Sequence, residues 1–232
     1  MTAAASQKPQ TRTRRTQAER SEAMRQRLIE ATVQSLDSEG YAGTTVSTII
    51  TMARVSRGAP IHHFPTKSAL IEATAEHLIR GIYIHLGHAV RHMEDSEDRP
   101  AGLIMASWRG IFSTPESGAL MELMMASRRD AELAAVLRKL WIAGYEVLDG
   151  ASRHYFEPAE DGPNPTHLFV LTHWLMGGMA MERHLTDGEH VNEHFLQLWC
   201  RVLGAHLRPR DGVTTPPPRP AFWDQALTAR DD

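Results

Sequence analysis

Residues 55–67 read VSRGAPIHHFPTK, and this stretch decides the interpretation of the whole chain. Ser56 offers a hydroxyl that can cap the start of a helix. Gly58 and Pro60 then weaken that helix, and Pro65 ends it, because the residue before a proline is pushed out of the helical region. A helix buried in a core gains nothing from such a composition. The stretch therefore predicts a short helix with one face held against something outside the protein.

The residues before this stretch predict two more helices. A capping box at residues 16–19 starts the first, and apolar residues between 24 and 36 recur at three- and four-residue steps. Gly40 is a plausible stop for that helix. Helix, tight turn and helix over residues 46–63 match the helix-turn-helix pattern, whose second helix enters the major groove of DNA.

Several polar residues near these helix starts are candidate contacts for DNA. Lys67 lies in the first turn of the next helix, where the helix dipole disfavours a cation unless an anion binds there. A phosphate bound at this helix start would contact the Thr66 hydroxyl, the Lys67 ammonium and the free backbone amides of the first turn. Thr44 and Thr45 offer a similar arrangement at the second helix, and a solvated surface lysine is the alternative interpretation of Lys67.

Composition limits the class of protein. The chain has 232 residues, of which 42% are hydrophobic, so it is long enough and apolar enough for a substantial core. A single cysteine, Cys200, excludes an internal disulfide and a cysteine-based zinc finger. The N-terminus has no apolar signal stretch, and the apolar run at 167–181 is too short to span a bilayer. We expect a soluble, cytoplasmic protein without a membrane partner.

Charge is distributed unevenly along the chain. The net charge is −3, but residues 1–67 carry ten Lys and Arg against five Asp and Glu, and the remainder is acidic. Such a distribution indicates that only the front of the chain meets a polyanion. A basic tail without a partner would give the same count.

The pattern predicts an all-α fold with an N-terminal three-helix unit and a larger helical body. We place a disordered basic arm at 1–15, the helix-turn-helix domain at 16–66, the body at 67–207 and a Pro-rich tail at 208–232. The predicted body helices lie near 67–93, 101–113, 116–127, 131–154, 166–184 and 190–207.

Residues 20–72 resemble the DNA-binding domain of TetR-family transcriptional regulators. The resemblance rests on Gly40-Tyr41, Thr44-Thr45, Ile49, Ala53, Val55-Ser56-Arg57-Gly58, His63-Phe64, Lys67 and Leu70. It implies a homodimer that binds a palindromic operator in double-stranded DNA, with a helical domain whose small-molecule effector lowers DNA affinity. Carried over by position, the residues at or near DNA would be Thr45, Arg57, Gly58, Ala59, Ile61, His62, His63 and Lys67.

Three positions depart from the family pattern. Arg54 stands where the turn usually carries glycine, so keeping that turn would strain its backbone by about 1 kcal/mol or more. Ile61 replaces an aromatic residue that often contacts phosphate, and His62 or His63 would have to supply that bond. Pro60 replaces a larger aliphatic residue. These departures affect the details of base reading.

The body is rich in methionine and tryptophan, which suit an adaptable, mostly apolar pocket. Each of these residues taken alone fits an ordinary core equally well. With the family resemblance, the expected lining of a ligand cavity is Met105, Trp108, Phe112, Met121, Met125, Trp141, Tyr145, His173 and Met176.

Two late helices are candidates for a dimer interface. The segment 167–181 is apolar almost all round and contains adjacent glycines, and a second apolar helix follows it. Two such helices from each subunit would form a four-helix bundle, although the centre of a large monomer would look the same. The expected interface residues are Trp174, Gly177, Gly178, Met181, Phe195 and Trp199.

Catalytic and metal-binding signatures are weak. His85, His88 and His92 share one helical face, yet a solvated face is the simpler interpretation, and we predict neither a metal site nor a cofactor. No nucleophile elbow, zinc-protease motif or phosphate loop occurs in the sequence. We predict a ligand-responsive repressor rather than an enzyme. The alternatives are an enzyme with a helical pocket, or a DNA-binding protein whose second domain only dimerises.

Overall fold

The computed structural model describes residues 16–92, 98–185, 189–213 and 215–217, without the side chains of residues 59, 61 and 189–191. The expected basic arm and most of the expected Pro-rich tail lie outside these residues. No helix of the described residues is long and apolar enough to cross a membrane.

The described chain is almost entirely helical, as predicted. Its helices are α1 (Gln17–Gly43), α2 (Val46–Ala53), α3 (Ala59–His63), α4 (Lys67–His92), α5 (Arg99–Ser107), α6 (Pro115–Ser127), α7 (Ala131–Tyr155), α8 (Pro165–Glu182) and α9 (Glu189–Gly204). A π-helical turn at Trp108–Phe112 follows α5, and a 3-10 turn at Arg183–Leu185 follows α8.

Helix starts follow the sequence closely, with one exception. At the start of α1, the Thr16 hydroxyl accepts from the Glu19 amide at 3.2 Å and the Glu19 carboxylate accepts from the Thr16 amide at 2.7 Å, so the predicted capping box is confirmed. The prediction that Ser56 caps the third helix is wrong. That helix begins at Ala59, with Gly58 as a cap that has no side-chain hydrogen bond.

The structure contains two short strands that were not predicted. β1 (Phe156–Pro158) pairs antiparallel with β2 (Leu207–Pro209), and Phe156 lies opposite Pro209. Strands of three residues are too short to show an alternating pattern. The predicted start of the Pro-rich tail, at residue 208, falls within β2.

Three buried clusters organise the helices. The first lies under α2 and α3, the second joins α1, α4, α6 and α7, and the third joins α5, α8, α9 and the strand pair. Leu70 of α4 belongs to the first cluster, Ile71 to the second and Val90 to the third. Because α4 contributes to all three cores, it links the N-terminal unit to the body, and the predicted boundary at residue 66 falls immediately before it.

Candidate nucleic-acid interface and ligand cavity

A compact apolar cluster holds the N-terminal helices in place. Leu28 of α1, Ile49 of α2, Phe64 after α3 and Leu70 of α4 are all buried in it. The Arg25 guanidinium lies over the Phe64 ring, 5.0 Å from its centroid. Burial of these side chains fixes the position of α3 relative to α1 and α2.

The turn between α2 and α3 keeps a left-handed residue although it lacks glycine. Arg54 has φ 54° and ψ 49°, as expected from its place in the sequence. Its amide donates to the carbonyls of the last turn of α2, and the Val55 amide donates to the Ile50 carbonyl at 3.2 Å. These bonds hold a conformation that costs about 1 kcal/mol for a residue other than glycine.

The two candidate threonines at the start of α2 have different surroundings. Thr44 is fully buried, accepts a hydrogen bond from the Ser35 hydroxyl at 3.0 Å and donates to the Gly40 carbonyl at 2.8 Å. The prediction that Thr44 contacts DNA is therefore wrong, because this hydroxyl is enclosed and already paired. Thr45 is exposed and caps α2 by accepting from the Thr48 amide at 3.1 Å.

The surface around α3 is open and polar. Arg57, Gly58 and His62 are exposed, and His63 is half-buried. A Cβ added at Gly58 would meet no atom within 4 Å, so packing within the protein does not require glycine there. The predictions for the side chains of Ala59 and Ile61 fall outside the described residues. The surface offers a cation, imidazole groups and bare backbone to an approaching partner.

Lys67 and Tyr41 connect this surface to the body. The Lys67 ammonium lies 5.1 Å from the centroid of the Tyr41 ring, and the neighbouring Thr66 hydroxyl accepts from the Ala69 amide at 3.0 Å. The backbone amide of Tyr41 donates to the Glu122 carboxylate of α6 at 2.9 Å. Its hydroxyl donates to the Asp130 carboxylate, the cap of α7, at 3.1 Å.

These contacts change the acidity of the groups involved. Burial, and then the hydrogen bond to Asp130, raise the pKa of Tyr41. The Leu133 amide and, to a smaller extent, the Tyr41 hydroxyl lower the pKa of Asp130. Tyr41 is therefore neutral and Asp130 is ionised at neutral pH, which is the state in which the hydroxyl donates to a charged acceptor. In the sequence, Gly40-Tyr41 stands out only as part of the family resemblance, and no local signal marks this junction.

The body contains a cavity of about 490 Å³ between α4, the α5 region, α6, α7 and α8. The walls are overwhelmingly apolar. Of the residues predicted to line it, the structure brings together Phe112, Trp141, Tyr145, His173 and Met176. A cavity of this size is within the range of small-molecule sites.

Four predicted lining residues lie elsewhere. Trp108 is buried among the core residues, and Met105 packs against the same cluster. Met125 is exposed, and neither it nor Met121 is among the cavity residues, whereas the neighbouring Met124 is. For these positions the predicted placement is wrong, because a helical repeat identifies a face but not the neighbour that the face meets.

His173 is the most enclosed titratable group of the cavity wall. Its ring lies 5.5 Å from the rings of both Phe112 and Trp141, measured between centroids. Burial lowers the pKa of His173, so its imidazole is neutral at pH 7. A neutral imidazole can offer one donor and one acceptor to a ligand.

A separate apolar surface lies on α8 and α9. Its exposed side chains are Leu171, Trp174, Leu175, Met181, Phe195, Leu198 and Val202, with Trp174 60% exposed. Gly177 and Gly178 lie on the same helix, and an added Cβ at either would meet no atom within 4 Å. Trp199 differs from the other predicted interface residues, since it is half-buried and its indole donates to the Thr172 hydroxyl at 2.9 Å within the protomer.

The histidine face of α4 has local partners. The His92 ring bonds the His88 carbonyl at 2.8 Å, and the two rings stack at 6.2 Å. A Cβ added at Gly110 would lie 2.1 Å from the His85 ring, so that ring packs directly on the glycine. Within the described part of the chain, no group of three His, Cys, Asp or Glu side chains is arranged to hold a metal.

Sequence comparison connects this architecture to known proteins. Residues 28–74 match the model of bacterial regulatory proteins of the tetR family. The chain is 29% identical over 122 residues to the HTH-type transcriptional regulator BetI of Burkholderia thailandensis, which covers 53% of each protein. It is 33% identical over 88 residues to BetI of Burkholderia lata, covering 38% of this chain and 45% of that one. The chain thus spans about half the length of the curated relatives it matches.

Solved structures extend the likeness to most of the fold. A transcriptional regulator from Rhodococcus sp. Rha1 superposes with a TM-score of 0.62 at 19% identity, covering 78% of this chain and 97% of that one. A transcriptional regulator from Saccharomonospora viridis in complex with choline gives 0.61 at 15% identity, covering 82% and 100%. The relatives are regulators rather than enzymes, which agrees with the expectation from the sequence. Residues 28–74 are therefore similar to the DNA-binding domain of tetR-family regulators, and most of the chain shares its fold with solved transcriptional regulators.

Proposed function

We propose that this protein is a homodimeric, ligand-responsive repressor that acts in the cytoplasm and binds a palindromic operator. The observation that carries the proposal is the exposed polar surface around α3, held by a buried cluster in the segment that matches the family model. Exposed Arg57 is suited to base edges in the major groove, while Thr45 and Lys67 are suited to flanking phosphates.

Dimerisation is supported by the apolar surface on α8 and α9. A tryptophan that is 60% exposed beside several exposed leucines is unusual for a monomer. Two copies of this surface, related by a twofold axis, would bury it in a four-helix bundle. The dimer would place two copies of α3 about 34–36 Å apart, as required for successive major grooves.

Ligand release of DNA is supported by the contacts of Tyr41. Its ring lies beneath Lys67, a candidate phosphate contact, and its amide and hydroxyl bind α6 and α7. Both of those helices contribute walls to the cavity. A ligand that moves α6 or α7 would therefore shift the support of Lys67 and the start of α4. Ligand binding would then lower the affinity for DNA by the same factor by which DNA binding lowers the affinity for the ligand.

The test is DNA selection with the purified protein, followed by titration of the selected sequence by fluorescence anisotropy. We expect enrichment of a palindrome, and weaker binding to one half-site than to the complete palindrome. A reporter gene placed behind that palindrome should be expressed less when the protein is present. Recovery of no sequence preference would contradict the proposal, and a higher reporter signal would contradict the assignment as a repressor.

A further inference from the structure

Three polar side chains lie along one exposed edge of the cavity. Arg138, Trp141 and Tyr145 follow each other at three- and four-residue steps on α7, so they share one helical face. Each is partly or largely exposed, with Trp141 at 42% and Tyr145 at 38%. The stripe therefore marks the mouth of the cavity, where an indole N–H, a phenol and a guanidinium meet solvent.

Three hydroxyls of the deeper wall have partners within the fold. Ser107 donates to the Leu103 carbonyl at 2.6 Å, and Thr172 donates to the Leu168 carbonyl at 2.7 Å. Ser152 shares a hydrogen bond of 2.8 Å with Thr166. The Tyr155 hydroxyl, which is buried without a hydrogen-bond partner among the described residues, and the His173 ring are polar exceptions in this deeper wall. The rest of the deeper cavity offers a ligand mainly apolar contact.

The charges around the cavity have one sign. Among the described residues that line it there is no Asp or Glu, and Arg138 is the one permanently charged side chain. Arg138 forms no ion pair with any carboxylate of the described residues. An unpaired guanidinium beside an apolar cavity favours a ligand with an anionic head and an apolar body.

We infer that the effector is an amphipathic carboxylate, with its apolar chain in the cavity and its head at Arg138. This inference rests on the proposed function, because it names the ligand class for the same cavity. The Trp141 indole and the Tyr145 hydroxyl add donors near the head, and the deep apolar wall selects the chain.

A cationic head is the main competing chemistry. The faces of Trp141 and Tyr145 can attract a quaternary ammonium. The lining supplies no described carboxylate to neutralise such a cation, and Arg138 repels it. The charge of the head group that binds more tightly therefore separates an anionic from a cationic effector.

Three ligands with one chain length test the inference: dodecanoate, dodecanol and dodecyltrimethylammonium, each used below the concentration at which it self-associates. Calorimetry on the full-length protein should show dodecanoate binding about tenfold more tightly than the ammonium, with dodecanol between them. Arg138→Gln should weaken dodecanoate about fivefold, as expected for an exposed charge pair, and leave dodecanol unchanged. Lys139→Gln is the matched control, since Lys139 is also exposed and is not a cavity residue.

Tight binding of dodecanoate that depends on Arg138 supports the inference. Three results would overturn it. The ammonium binds as tightly as dodecanoate or more tightly, Arg138→Gln leaves the affinity for dodecanoate unchanged, or none of the three ligands binds. Titration of the selected operator separates this result from the proposed function. If the protein binds DNA specifically but prefers the cation, only the inference fails. If dodecanoate is preferred yet leaves DNA affinity unchanged, the ligand class stands and the proposed response to ligand fails.

Discussion

Removing one hydroxyl at Tyr41 tests the proposed route between cavity and DNA. Tyr41→Phe deletes the hydrogen bond to Asp130, which spans 3.1 Å, and keeps both the ring beneath Lys67 and the backbone bond to Glu122. Because the ring remains, packing at the junction is preserved. The variant therefore isolates the link between the N-terminal unit and the cap of α7.

The expected effects are modest and measurable. A hydrogen bond to a charged acceptor contributes about 1.5–3 kcal/mol, and partial exposure of Tyr41 and Asp130 reduces this to about 1 kcal/mol. We expect the free energy of unfolding to fall by that amount, which lowers Tm by about 2–4 °C for a chain of this size. If the same bond transmits a ligand-induced movement of α7 to the N-terminal unit, the coupling free energy between ligand and DNA falls by about 1 kcal/mol, or fivefold.

Coupling is measured as the ratio of operator affinities with and without saturating dodecanoate, by fluorescence anisotropy. Ser38→Ala is the control, because it removes an exposed side-chain hydrogen bond on the same helix, from the Ser38 hydroxyl to the Gln34 carbonyl at 2.9 Å, at a residue that does not line the cavity. Its removal should leave the coupling between ligand and DNA unchanged.

The pH dependence gives an independent check on the Tyr41 bond. The pKa of Asp130 is lowered in the folded protein, so its contribution to stability is present at neutral pH and is lost as the pH falls through that folded pKa. The stability difference between wild type and Tyr41→Phe should accordingly shrink in acid. Lower stability with unchanged coupling would show that Tyr41 only supports the fold, and unchanged stability would refute the hydrogen bond itself.

Three other sets of substitutions test the DNA interface, the dimer and the cavity. Arg57→Ala should weaken specific DNA binding by about 1–3 kcal/mol and relax the preference at one base pair. Lys67→Ala should weaken binding to all DNA sequences alike and reduce the salt dependence of binding by about one ion. Equal effects of the two variants in anisotropy would show that Arg57 is misassigned. Gly178→Leu should leave Tm of the protomer unchanged, because a Cβ there would meet no atom within 4 Å. The variant should nevertheless sediment as a monomer, because the larger side chain disrupts the dimer contact. A persistent dimer would exclude this surface as the dimer interface. Gly87→Leu adds four atoms to the cavity wall. If these displace about four chain atoms of dodecanoate, binding should weaken by about 1.2 kcal/mol, at about 0.3 kcal/mol per ligand atom. Gly81→Leu, on the same helix but outside the cavity, should not weaken it, and equal calorimetric affinities of the two variants would place the ligand elsewhere.

Local signals in the sequence predicted the helices well. The capping box at Thr16 and Glu19 and the proline at position 65 act within a few residues, so their effects can be identified without knowing the fold. The left-handed conformation of Arg54 was also predictable, since a fixed turn geometry has to be met by the residue that occupies it. Chain-local physics therefore accounts for most of the helices, but not for the start of α3 or for the two strands.

Features that depend on distant neighbours were harder to predict. Thr44 resembles a helix cap in the sequence, but Ser35 and the Gly40 carbonyl enclose its hydroxyl. Met124 and Met125 differ by one position on α6, and only the packing against other helices decides which of them lines the cavity. The helical period identifies which residues share a face of a helix, whereas tertiary contacts decide which of them line the cavity.

Gly40 shows how a local constraint becomes a functional one. Its φ of 69° and ψ of 176° lie in a region that is essentially restricted to glycine, and a Cβ there would come within 3.1 Å of the Glu122 carboxylate. This break in α1 directs the Tyr41 amide to Glu122 and carries the Tyr41 hydroxyl to Asp130. A side chain at position 40 would therefore strain the backbone and displace Glu122, which is one of the two carboxylates that join the N-terminal unit to the body. The Gly-Tyr pair thus places the side chain on which the proposed communication between cavity and DNA depends.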